Sequence, residues 1–447
     1  MICWEVSCMH VSDRPIMKLI CSCLIIVLLT IASCFALGKV LAPVTYSDYF
    51  NHDLEKIEES GENIDLLLVG DSRLYSSFDA RIFEEKLGLN NVVLATTSSQ
   101  PICASYYLIK DCIERFHPQK VILGLDCDEM IEEAGEQAML LVTDRLSLKN
   151  RLQMFKNCFF GTNLFYMLDA YRFRNNLDDM FSIIEQRRKM IESDYIQKDD
   201  GEQYYCYKGF IYRYGSVKTG RMPMYFKSTF DEDEMIPFNL EYFQKCVEIC
   251  KENNVELELV SAPTSVMRML YTDNYDRGVE YYEHFAEENG LTYLNLNYLK
   301  GREEFLPDEM MCDFNHTNGE GAKIVSEIYT DILLKEQNGE DVSDLFYPSF
   351  KDFCADLHRV VSVDAKIRLE DDGFHLLLRS LLNPELTALY QVEIRNNENE
   401  DFMILIPWTE ESEHTISLDK KGCEIRVTAK TENDLDGMAY QEYDLDD

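Results

Sequence analysis

The stretch "IDLLLVGDSRLYSSFD", residues 64–79, decides how the rest of the chain is read. Its first six residues, Ile64–Val69, read as a strand whose continuous apolar part, Leu66–Val69, has the pattern of a strand covered on both faces. The run stops at Gly70-Asp71-Ser72. Small polar residues in that position are ordinary turn chemistry. They also fall where an α/β sheet presents reactive groups, at the carboxyl end of a strand. The stretch alone does not choose between a turn serine and a nucleophile, so the choice depends on a base and an orienting acid elsewhere.

Downstream the same texture repeats. A helix is expected over 79–88, ended by Gly88, then a strand over 91–96 and a helix over 102–116 that stops before Pro118. A third strand follows over 120–126. After a lapse the alternation resumes with a helix over 240–254, a strand over 255–263, a helix over 275–290, a strand over 291–297 and a last helix over 320–337. Five apolar strands alternating with amphipathic helices predict α/β architecture, a flavodoxin-like doubly wound parallel sheet. The lapse, about 127–236, is rich in Tyr, Phe, Lys and Arg and reads either as a partly helical insertion with its own small core or as a polymer-binding lid. Beyond about 355, short runs rich in branched and aromatic residues are separated by Asp-Gly, Asn-Pro and Asn-Glu-Asn turns, which predicts a small antiparallel β-sandwich over 356–447.

The N-terminal region carries an uncharged apolar run from Leu19 to Gly38, long enough to cross a bilayer core of ~30 Å. Arg14 and Lys18 precede it, so residues 1–18 are expected in the cytoplasm, 19–38 in the membrane and the body outside. Two alternatives stay open: a cleaved signal peptide, and a lipoprotein anchored through Cys34 after Ile31-Ala32-Ser33. A net charge of −38 over 447 residues excludes nucleic acid as a partner, because phosphate binding needs a basic footprint. The length calls for two folded units. The fifteen cysteines form no CxxC pair, so neither a metal cluster nor any cofactor is expected. Cys246 and Cys250, four apart on a helix, read as buried small hydrophobes.

The partner for Ser72 is sought in "DFNHTNGEGA", residues 313–322. A serine hydroxyl becomes a useful nucleophile when an imidazole takes its proton and a carboxylate fixes that imidazole's tautomer. Of eight histidines, His316 has an acid, Asp313, three residues ahead on a short loop entering a helix. Here the chain resembles the SGNH, or GDSL-like, hydrolase family in Gly70-Asp71-Ser72 and in the Asp313-x-x-His316-x-Asn318-x-x-Gly321 block. The resemblance covers about residues 64–337 of an expected domain at 64–340. It implies Ser72 as nucleophile, His316 as general base and acid, Asp313 as its orienting partner and the Ser72 N–H as an oxyanion donor.

Two blocks depart from the family pattern. Where the family places an oxyanion glycine after the second strand, this chain has Ser98, Ser99 and Gln100, which makes Ser99 and Gln100 the candidate oxyanion residues. Where the family shows Gly-x-Asn-Asp after the third strand, this chain has Gly124-Leu125-Asp126-Cys127-Asp128. An ionised Asp accepts hydrogen bonds and donates none. Such departures resemble membrane-anchored members similar to proteins of teichoic-acid D-alanylation and alginate-type O-acetylation, which implies a multispanning membrane O-acyltransferase as partner. The expected function is a membrane-tethered, extracytoplasmic serine esterase or O-acyltransferase acting on acyl esters of a cell-surface glycopolymer. The alternative is a non-catalytic polymer-binding or assembly partner of a membrane acyltransferase.

Overall fold

The computed structural model describes residues 13–444 except 160, 198, 200, 217–227, 371–372, 397–398, 418–422 and 433–438. The first twelve residues of the expected cytoplasmic segment, the basic-aromatic stretch 218–227 and parts of the Asp-Gly and Asn-Glu-Asn turns therefore lie outside the described residues. The chain divides into two compact units, one of residues up to Thr45 with Leu152–Tyr195, the other of Tyr46–Arg151 with Ile196 onward.

In the second unit five strands form one parallel sheet: β1 (Leu66–Gly70), β2 (Val92–Thr96), β3 (Lys120–Gly124), β4 (Glu256–Ser261) and β5 (Thr292–Asn295). Their order is β2-β1-β3-β4-β5, the doubly wound order expected from the alternation. Every residue of β1 and β2 is buried, because helices cover both faces. On one face Ala80–Leu87 and Gly319–Gln337 pack through Phe83, Val325 and Tyr329 onto Leu66, Leu68, Val92 and Leu94. On the other, Phe243 of the helix Pro237–Glu252 stacks on Phe285 of the helix Tyr275–Asn289, with ring centroids 4.1 Å apart. The helix Ile102–Phe116 starts directly after Pro101, and Gly88 ends the helix Ala80–Leu87 at φ 67°, where a side chain would be strained.

The interval 127–236 supplies helices at Glu136–Thr143, Leu148–Cys158 and Met180–Glu192 and a hairpin of Gln203–Tyr207 with Phe210–Arg213. Within it, Leu152–Tyr195 groups with the N-terminal helix Asp13–Leu41 as the first unit, rather than forming a body of its own.

The C-terminal residues form two antiparallel sheets. One is β6 (Ser362–Glu370), β7 (Gly373–Leu381) and β10 (Glu413–Ile416) in the order β6-β7-β10. The other is β8 (Ala388–Arg395), β9 (Met403–Thr409), β11 (Glu424–Thr431) and β12 (Ala439–Asp444) in the order β9-β8-β11-β12. Alternate residues of β7 and β8 point inward, and Ile367, Leu376, Val392, Ile425 and Val427 share one core between the sheets.

None of the thirteen described cysteines forms a disulfide. Cys246 and Cys250 are buried, and burial pushes the Cys250 thiol up to about 12, so both behave as small apolar groups.

Candidate active site

The strand β1 ends against its neighbour β3 at a pair of glycines, Gly70 and Gly124. A Cβ on Gly124 would stand 2.1 Å from a Leu74 methyl, so only glycine lets Leu74 pack over the strand ends. That close approach lets a short helix, Ser72–Ser77, begin directly after the strand. Asp71 caps it, its side chain accepting the Arg73 N–H at 2.9 Å. Ser72 is thereby held at the rim of the sheet.

The second half of the site is a loop closed on itself. The Cys312 N–H donates to the His316 carbonyl at 2.9 Å, and Met311 bridges Thr317. Asn318 caps the helix Gly319–Gln337 by accepting the Gly321 N–H at 3.0 Å, and its amide donates to the Glu309 and Gly215 carbonyls. A Cβ on Gly321 would meet the Met310 carbonyl at 2.3 Å, which explains the glycine at that spacing. The Thr317 hydroxyl donates to the Ser76 carbonyl at 2.7 Å, tying this loop to the serine helix 241 positions away.

Together these anchors bring three side chains into line. Ser72 Oγ lies 2.7 Å from His316 Nε2, and His316 Nδ1 lies 2.7 Å from Asp313 Oδ1 and 2.8 Å from Oδ2. Asp313 Oδ1 also accepts the backbone N–H groups of Asn315 at 2.8 Å and His316 at 2.9 Å. Arg213, from the hairpin, places a guanidinium nitrogen 3.5 Å from Asp313 Oδ2. Burial works against ionisation of Asp313, but the His316 hydrogen bond and charge, the Asn315 N–H and Arg213 outweigh it and hold the carboxyl below its ordinary value. With Nδ1–H given to a carboxylate, Nε2 is left to accept the Ser72 proton.

The other side of the site is built differently. Asp126 Oδ2 pairs with both Arg73 and Arg268, the latter at 2.5 Å, and Arg268 also reaches Asp128 Oδ2 at 2.7 Å. Asp126 and Asp128 are therefore compensated by two guanidinium groups, not bare. Asp71 opposes its own burial through the charge and hydrogen bonds of Arg73 and stays below its ordinary value. Gln100 is buried, its Nε2 donating to Ser105 Oγ at 3.0 Å and to the Ala95 carbonyl at 3.4 Å and its Oε1 accepting from Thr97. Its side-chain donors are thus engaged with its own loop. Ser99 is exposed with φ 48°, in the left-handed region.

A cavity of about 350 Å³ joins the two sides, lined by Ser72, Ser99, Gln100, Arg268 and His316 among others and walled by Asp128, Glu129, Glu132 and Glu133. Burial, then the charge of Asp71, pushes the Glu129 carboxyl up to about 8. Arg73, Arg213, Arg268 and Glu129 were not legible as site residues. Only Arg73, next to Ser72, carried any local signal. Cys312, Asp313 and His316 offer ligand atoms within 4.8 Å of one another. Burial pushes the Cys312 thiol up to about 12, however, and Asp313 is committed to the imidazole, which makes this trio a poor metal donor set.

No family model matches the chain, and no curated protein matches it. Among solved structures, a GDSL-like lipase from Bacteroides thetaiotaomicron is similar at 12% identity and TM-score 0.30, over 64% of this chain and 99% of that one. An acylhydrolase structure from Bacteroides fragilis is similar at 9% identity and TM-score 0.30, over 64% of this chain and 97% of that one. A two-domain esterase active on acetylated mannans is similar at 10% identity and TM-score 0.30, over 89% of this chain and 96% of that one. Likenesses this shallow assign no family.

Proposed function

We propose that the protein is a serine-dependent acyl esterase or O-acyltransferase of the SGNH type, acting outside the cell on acyl esters of a surface glycopolymer. The observation that supports this reading is the Ser72–His316–Asp313 relay, two contacts of 2.7 Å at the rim of a parallel sheet and at the edge of a cavity. Ser72 Oγ attacks the ester carbonyl carbon while its proton passes to His316 Nε2, giving a tetrahedral oxyanion. Collapse expels the alcohol, which takes that proton, and leaves the acyl group on Ser72. Water or a sugar hydroxyl then gives its proton to Nε2 and attacks the acyl carbon, and Ser72 leaves with the proton restored. The Ser72 N–H, at the open end of a helix, is the oxyanion donor in this reading.

Tethering rests on the helix within Lys18–Leu41: an 18-residue window in it has mean hydropathy 2.7 and no buried residue, and the helix is 24 residues long. At 1.5 Å per residue it spans about 36 Å, enough for a bilayer core. The test uses the full chain in detergent with an activated acetyl ester. The expected result is hydrolysis by the wild type and none by Ser72→Ala, and equal rates would remove Ser72 from the mechanism.

A second reading, a non-catalytic polymer-binding partner of a membrane acyltransferase, draws support from the oxyanion side. There Asp126 accepts from arginines where a donor would serve catalysis, and the Gln100 amide is engaged elsewhere. Failure of a fluorophosphonate to label Ser72 in the folded protein would favour it.

A further inference from the structure

The helix Met180–Glu192 is apolar on two sides. Ile183 and Met190, seven apart, are buried within the first unit, as a docked helix requires. Phe181, Ile184 and Ile191 lie on another side and remain 78%, 45% and 57% exposed. The preceding turns add Leu164, Phe165 and Leu177, at 45%, 58% and 57% exposure. A water-facing layer would be polar in these positions, and apolar surface of this extent marks a contact.

The layer's place in its unit identifies that contact. Gly38, at the end of the expected span, meets the turn that begins the helix Asp169–Arg172, where a Cβ would stand 2.7 Å from Asp169 Cβ. The Asn176 amide donates to the Leu41 carbonyl at 3.1 Å, and Arg187 donates to the Ala42 carbonyl at 2.8 Å. Both side chains thus satisfy carbonyls that the helix terminus leaves open. The apolar layer is therefore fixed at the carboxyl end of the apolar helix. If that helix spans a bilayer, its end is the membrane-water boundary. Arg188, beside the apolar stripe, is paired with Glu185 at 2.7 Å and Glu192 at 2.8 Å, so its charge is compensated on approach to the lipid.

We infer that residues 164–191 form an interfacial platform, with Phe181, Ile184, Ile191, Leu177 and Phe165 inserted at the acyl-headgroup boundary of the lipid bilayer that holds the anchor. This rests on the tethering reading. The platform would add a second membrane contact to the anchor and limit how the chain tilts on its tether.

The test places a single tryptophan on the platform of the full chain. Trp4 and Trp408, the only two tryptophans, become Phe, and Phe181→Trp or, in a separate protein, Ile191→Trp supplies the reporter. The chains are reconstituted in phosphatidylcholine vesicles with or without bromine on the acyl chains. The expected result is emission about two-fold lower in brominated vesicles together with weak quenching by aqueous iodide. Chains that float with the vesicles after a carbonate wash but show the reverse pattern would overturn the platform while leaving the anchor intact, and would point to a protein partner for this face. Chains that fail to float would overturn the anchor reading and the platform with it.

Discussion

Two loops border the same cavity and were built by different rules. The Asp313–Gly321 loop is set by residues close in sequence: an acid three before the histidine, a capping Asn318, and a glycine where no Cβ fits. The turn after β3 is set by partners far away, since Asp126 and Asp128 are neutralised by Arg268, 142 and 140 positions downstream, with Arg73 adding to Asp126. The first arrangement orients an imidazole. The second is an ionic cluster in which Arg73 and Arg268 hold Asp71, Asp126 and Asp128, and its first physical consequence is for stability, because buried charges are costly unless paired.

The largest effect is expected on the relay itself. His316→Ala should lower kcat for an activated ester by about 10³-fold or more, and Asp313→Asn by about 10²–10⁴-fold, measured on the full chain at saturating ester. Equal losses of folding stability would be no part of that outcome. For the other loop the expectation is inverted. Arg268→Met takes the guanidinium from Asp128 and leaves Asp126 with Arg73 alone in a buried site, and should cost about 3–5 kcal/mol in denaturant unfolding. Adding Asp126→Asn and Asp128→Asn should recover much of it. If Arg268→Met instead left stability untouched and reduced only kcat, the two loops would not differ in the way described.

A smaller change is expected from Arg213→Ala, which removes a 3.5 Å contact to a partly exposed carboxylate. A several-fold fall in kcat, without loss of stability, would mark Arg213 as a positioning residue for Asp313. The smallest is a pH effect. Glu129 is pushed from 4.5 to about 8 by burial, so the folded chain keeps a proton that the unfolded chain releases. Its contribution to stability is therefore fully present below about pH 4.5 and is lost as pH rises toward 8. Glu129→Gln should raise Tm by a few degrees at pH 8.5 and leave it unchanged at pH 4.5, as read by calorimetry.

The same contrast explains what could be read in advance. The β1 run Leu66–Val69, the helix Ile102–Phe116 after Pro101 and the Gly88 stop are local patterns, and each expected core element lies within a few residues of its observed bounds. The strand Ala439–Asp444 was not foreseen, because it carries Gln441, Glu442 and Asp444 with little apolar alternation and is recruited by pairing with β11. The Tyr-rich hairpin 203–213 was missed for a related reason, as its Tyr204 and Tyr212 rings pack on one another and on the following Tyr214, and not in the main core. The spacing Asp313-x-x-His316 announced its own contact. The Arg268–Asp126 pair could not, since long-range ion pairs leave no periodicity in a sequence.

The central claim is that Ser72 accepts an acyl group because His316 removes its proton. Its most direct test is rapid acid quench of the wild-type chain with excess activated acetyl ester, followed by peptide mass spectrometry. The account predicts one acetyl group on Ser72, absent from the His316→Ala chain. An unmodified Ser72 in a wild-type chain that is turning over the ester would contradict it.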